Sequence, residues 1–138
     1  MQIKRNKRTF WQRLLGRPVT QLPATNDFWS VSGGRIVVDL ATAPGLSTPG
    51  GAVRLEGKIP GRILVVHCQD GTFHAYENKC THGGRCVDPV PGTNTVQCCS
   101  INTSTFDCDG SKIHGPARGP LKTYPVTVDA GKLSIDLG

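Results

Sequence analysis

Between Glu77 and Leu121 the chain places ten glycines and prolines: Gly83, Gly84, Pro89, Pro91, Gly92, Gly110, Gly115, Pro116, Gly119 and Pro120. Such a segment buries little apolar side chain, so a hydrophobic core alone cannot order it. Cys80, Cys86, Cys98, Cys99 and Cys108 fall in the same stretch. A metal centre or a disulfide is therefore the expected organiser.

The rest of the chain reads as β structure. With 138 residues it has the size of one domain, and 17 glycines and 10 prolines suit short strands and many turns better than a helical bundle. Arg35–Leu40, Arg62–Cys68 and Thr72–Glu77 are rich in β-branched and aromatic residues, and Asp70-Gly71 joins the last two as a hairpin. Tyr124–Asp129 and Lys132–Asp136 alternate around the short turn Ala130-Gly131. Ala41 to Gly51 is a loop of small and turn-forming residues, and no helical period is sustained in the body. An all-β fold follows, an antiparallel sandwich or barrel.

Charge divides the chain differently. Its net charge of +6 resides in Lys4, Arg5, Lys7, Arg8, Arg13 and Arg17, because the ten later basic residues balance the ten acidic ones. Residues 1–24 are thus a basic arm, in which Phe10, Trp11, Leu14 and Leu15 fit one stripe of a short amphipathic helix. The arm is expected to meet an anionic membrane surface or an acidic partner. The competing reading is a solvated tail. Lys7-Arg8-Thr9-Phe10 has the look of a twin-arginine signal, but Gln12, Arg13 and Arg17 interrupt the apolar run that should follow. Cytoplasmic residence is expected, with peripheral membrane contact through the arm. Nucleic-acid binding is not, since a neutral body lacks a broad basic face.

The cysteines and histidines carry a specific pattern. Cys80-Thr81-His82 is followed, after sixteen intervening residues, by Cys99-Ser100-Ile101-Asn102. Gly83-Gly84, Ser104-Thr105-Phe106-Asp107, Asp109-Gly110, Gly115-Pro116-Ala117, Pro120-Leu121 and Tyr124-Pro125-Val126 follow in order. In order and spacing these residues resemble the Rieske ferredoxin family, from about Phe28 to Gly138. The resemblance implies a β base over residues 25–138 carrying a loop-rich cluster-binding subdomain at about 78–120, whose two loops clasp a 2Fe-2S cluster.

By that resemblance Cys80 and Cys99 match the thiolates on the inner iron and His82 matches one imidazole on the outer iron. Asn102 stands where the second histidine belongs. Ser104 matches the serine whose hydroxyl can hydrogen-bond a cluster sulfur and raise the potential. Phe106 occupies a position that is tyrosine in the high-potential members. Arg85 and Ile101 occupy those members' disulfide positions and cannot bridge, which leaves a shifted Cys86–Cys98 bridge as an alternative. An amide oxygen is a poor substitute for imidazole at iron. Cys98, Cys108, His114 or a water held by Asn102 are the other candidates for the fourth position.

One-electron transfer is the function implied, as a ferredoxin or as the Rieske subunit of a larger redox complex. The partners implied are a reductase, an oxygenase or a cytochrome complex, with no catalysis expected of the chain by itself. A second reading is a redox-silent subunit that keeps the fold for assembly. A third is a mononuclear zinc site on Cys80, His82, Cys99 and another cysteine, which the absence of any Cys-x-x-Cys turn disfavours. Cys68 is read as a buried small hydrophobe. His67 and His74 are read as hairpin residues rather than ligands, and Trp11 and Trp29 as packing or interfacial anchors.

Overall fold

The computed structural model describes residues 20, 22–79, 86–90, 92–98, 104–115 and 119–138. Its twelve strands among these residues are β1 (Trp29–Ser32), β2 (Arg35–Asp39), β3 (Ala52–Leu55), β4 (Ile63–His67), β5 (Phe73–Glu77), β6 (Val87–Pro89), β7 (Thr95–Cys98), β8 (Thr105–Asp107), β9 (Lys112–His114), β10 (Thr123–Tyr124), β11 (Val126–Asp129) and β12 (Lys132–Asp136). They form three four-stranded sheets, ordered β1-β2-β12-β11, β10-β5-β4-β3 and β6-β7-β8-β9, with every pairing antiparallel. No helix among the described residues is long and apolar enough to cross a membrane.

The second sheet is central, and β4 shows why. Ile63 and Val65 enter one core with Ile36, Val38, Leu133 and Ile135 of the first sheet. Leu64 and Val66 enter another with Val87, Val96 and Phe106 of the third. A strand covered on both faces needs an unbroken apolar run, and Ile63-Leu64-Val65-Val66 supplies it. The four side chains are at most 2% exposed, and their burial contributes roughly 6–12 kcal/mol of transfer free energy.

The Asp70-Gly71 hairpin forms between β4 and β5 as expected, with Gly71 at φ 87° and Thr72 N–H donating to Asp70 Oδ1 at 3.0 Å. The β11–β12 turn puts both Ala130 (φ 51°) and Gly131 (φ 75°) in the left-handed region, as a two-residue hairpin demands. Trp29 is buried at 3% exposure beneath the Lys58 ammonium, which lies 5.0 Å from its ring centroid. In the Ala41–Gly51 loop the backbone closes on itself: a Cβ on Gly51 would lie 1.6 Å from the Gly45 carbonyl oxygen. Only glycine fits there. Trp11 lies outside the described residues.

Several expectations are corrected. The run Tyr124–Asp129 is not one strand: β10 pairs with β5 and β11 with β12, and the chain changes sheet at Pro125, which has no N–H for a ladder. Ala52–Leu55 is a strand although no run marked it, with Val53 and Leu55 buried. The glycine- and proline-rich segment contains the four short strands of the third sheet.

Cys68 is not a lone hydrophobic thiol. It is bonded to Cys108, forty residues away, with the Cα atoms 6.4 Å apart. The bond links the β4–β5 turn of the central sheet to the end of β8 in the third. Tyr76 reinforces it by donating its phenol O–H to the Cys108 carbonyl at 2.5 Å, and burial pushes the Tyr76 phenol far up so that it remains a neutral donor. Asn94 completes the seam: its Oδ1 accepts from Gln69 N–H at 3.0 Å and its carbonyl from Cys108 N–H at 2.9 Å. Cys86 and Cys98 are not bridged to each other; both are buried, and burial raises the Cys86 thiol. Closing a loop of this length should stabilise the fold by about 4 kcal/mol on chain entropy alone. Replacing both Cys68 and Cys108 by alanine should therefore lower the unfolding free energy by about 2–4 kcal/mol in urea titration, and reductant should then have no further effect on the midpoint.

Candidate metal centre

The third sheet is a frame with loops at one end. Val87 pairs with Cys98, Gln97 with Thr105 and Thr105 with His114. Segments 80–85, 99–103 and 116–118 therefore all join the sheet at the same end. At the opposite end lie the turns after Pro89 and Asp107, with the Cys68–Cys108 bond.

Each loop is closed by a defined contact. Asn78, just past β5, accepts the Val87 N–H on its side-chain oxygen at 2.8 Å, which draws together the two sides of the first loop. Cys98 N–H donates to the Ser104 carbonyl at 2.8 Å, which closes the second as a hairpin. Gly115, at the exit of β9, backs onto Ser104 so closely that a Cβ would lie 2.6 Å from the Ser104 Cα and 3.2 Å from its Oγ. Ser104 is completely buried.

Of the residues expected at the site, Cys80, His82, Cys99 and Asn102 lie outside the described residues. Ser104 stands at the base of the second loop, among the converging ends. Phe106 is fully buried in the second core. His114 is exposed on β9 at the loop-bearing end, opposite Thr105. Cys108 is withdrawn from the candidates for the fourth position, since its sulfur is bonded to Cys68. The Cys98 side chain packs in the second core with Val87, Val96 and Phe106. His67 stacks on Phe73 at 4.3 Å between ring centroids, with Nδ1 3.0 Å from the Leu46 carbonyl, and His74 Nε2 lies 3.0 Å from Thr72 Oγ1. Among the described residues no group of three or more His, Cys, Asp or Glu is placed to hold a metal ion.

Sequence reasoning missed two functional-end features. The Cys68–Cys108 pairing could not be deduced from spacing. Asn78 was passed over, although an Asn at a strand end beside a loop often binds backbone groups. Its Oδ1 is used, whereas Nδ2 finds no acceptor among the described residues despite complete burial. A donor left unmade in such a place costs about 1–3 kcal/mol.

Comparison with known proteins agrees with this frame. A family model described as "Rieske [2Fe-2S] domain" matches residues 46–125. The chain is 31% identical over 87 residues to the ferredoxin component of the p-cumate 2,3-dioxygenase system of Pseudomonas putida, a match that covers 61% of this chain and 74% of the relative. It is 36% identical over 90 residues to the 3-phenylpropionate/cinnamic acid dioxygenase ferredoxin subunit of Photorhabdus laumondii, covering 63% of this chain and 83% of the relative. The fold is similar to that of the ferredoxin of carbazole 1,9a-dioxygenase from Nocardioides aromaticivorans, with a TM-score of 0.59 at 20% identity over 74% of this chain and 95% of the other. The chain belongs to the Rieske [2Fe-2S] domain family.

The frame fits that group on the residues themselves. Two loops with closed necks leave one end of a sheet, a buried hydroxyl stands at the base of the second, and beside it is a glycine whose Cβ would displace it. The sequence puts two thiols and an imidazole in those loops, a donor set suited to iron and sulfur. Gly115→Ala should push Ser104 out of place and also force a left-handed backbone (φ 97°) on alanine. The expected cost is about 2–4 kcal/mol, read as a lower melting temperature with faster amide exchange at Cys98.

Proposed function

We propose that the chain is a one-electron carrier of the Rieske ferredoxin type, serving a reductase and an oxygenase or cytochrome complex. The convergence of strand ends at one end of the third sheet supports the reading, because the described residues that flank the Cys80-Thr81-His82 and Cys99-Ser100-Ile101-Asn102 motifs, Val87, Cys98 and Thr105, meet there. On this reading residues 25–138 form the domain and about 78–120 its cluster-bearing part. Cys80 and Cys99 supply thiolates, His82 one imidazole, and Asn102 replaces the other. With Cys108 in a disulfide and Cys98 in the core, Asn102, a water it holds, or His114 remain for the fourth position.

The bound [2Fe-2S] centre supplies reversible one-electron chemistry. The chain's own residues set its conditions. Ser104, buried at the neck, offers a hydroxyl donor toward sulfur, which favours the reduced state. Phe106 offers none, so one donor found in the high-potential members is missing. Ser104 raises the potential, and the missing donor at Phe106 leaves it below that of those members.

Protein purified without oxygen should carry two irons and two acid-labile sulfides per chain, with a spin-resonance signal on reduction. Asn102→His should shift that signal toward an ordinary Rieske centre. A folded chain that neither holds iron nor takes it up on reconstitution would instead favour the redox-silent scaffold, and zinc in its place the mononuclear site.

The proposed residence is the cytoplasm, with the basic arm at a membrane surface or partner. The Cys68–Cys108 bond weighs against this residence, because disulfides persist chiefly in oxidising compartments. Cell fractionation should find the full chain partly on membranes and released by salt, and a chain lacking residues 1–18 wholly in the cytosolic fraction. Recovery beyond the cytoplasmic membrane would overturn this placement.

A further inference from the structure

The fold uses only half of the Asn78 side chain. The residue is fully buried and stands two positions before Cys80. Its backbone is fixed, since its N–H donates to the Arg62 carbonyl at 2.8 Å as an extension of the β4–β5 ladder. The orientation of its amide follows from chemistry: Val87 N–H is a donor, so the atom facing it 2.8 Å away is the oxygen. Nδ2 is thereby directed elsewhere, and among the described residues nothing accepts from it. A buried amide donor is strongly disfavoured without an acceptor. The segment whose neck this side chain spans, 79–86, contains Cys80 and His82, and Cys98 at the mouth of the second loop is paired with Val87 itself.

We propose that Asn78 is the positioning residue of the centre: Oδ1 clamps the neck of the first ligand loop, and Nδ2 donates to an electron-rich atom of the ligand loops. That atom is a sulfur of the centre or a loop carbonyl. The inference rests on the Rieske reading of Cys80, His82 and Cys99. It makes one side chain responsible both for closing the loop and for holding its contents.

Asn78→Asp separates the two roles, because a carboxylate still accepts from Val87 N–H but cannot donate; Asn78→Ala removes both. In full-length, iron-loaded protein, both variants should release iron to a chelator about tenfold faster than the parent, as expected for one lost buried hydrogen bond. Faster amide exchange at Val87 should appear in Asn78→Ala alone. The reduction potential then identifies the acceptor. A lower potential in Asn78→Ala, where no charge is added, marks sulfur; an unchanged potential with faster release marks a carbonyl. Parent-like iron release, potential and spin-resonance signal in Asn78→Asp would overturn the inference, as would a lower melting temperature of the iron-free chain with unchanged iron release. A parent chain that holds no iron would sink the carrier reading and this inference together, whereas an iron-loaded parent with an indifferent Asn78→Asp sinks this inference alone.

Discussion

Both hydrophobic cores meet on β4, where Ile63 and Val65 face the first sheet while Leu64 and Val66 face the third. A polar residue at any of these four positions would be buried, with no solvent on either face to receive it. This double coverage lets a chain of 138 residues carry three sheets, since one strand serves as the shared wall of two layers. The third sheet depends on it most. Its own strands are only three or four residues long, too short to be stable as an isolated sheet, so it persists by packing Val87, Val96 and Phe106 on the central sheet.

A sheet held this way can spend one end on loops with little apolar content. The opposite end is fixed by the Cys68–Cys108 bond, the Tyr76 phenol and the Asn94 contacts. At the loop-bearing end the described contacts are a hydrogen bond across each neck and a glycine pressed against Ser104. By the resemblance, the high-potential members cross-link their two cluster loops directly; here the described covalent link is at the other end.

How much of this was legible follows from the length of each signal. The β4–β5 and β11–β12 hairpins were readable because runs of four or five residues flank turns that need a left-handed backbone, Gly71 in one and Ala130-Gly131 in the other. Strands β6 to β9 were not, because three residues among glycines and prolines give no period to detect. Pro125 was visible as a residue, but its effect depends on β5 offering a free edge to Tyr124, which is tertiary information. The loop motifs are the reverse case: the family resemblance points to Cys80, His82 and Cys99, while the structure describes the sheet that flanks their segments. Cys68 was misread since a thiol at the end of an apolar strand looks the same whether or not its partner is forty residues away.

The asparagine at 102 can be weighed against that frame. Loss of a ligand in a scaffold kept only for its shape should leave the supporting residues free to drift, because nothing would then select a buried hydroxyl, a missing Cβ and a side-chain clamp at one place. Here Ser104 is wholly buried, Gly115 packs against it where a Cβ would not fit, and Asn78 closes the neck before Cys80. On the carrier reading proposed above, Asn102 would then be a change in the coordination of the outer iron and not the relic of an abandoned centre.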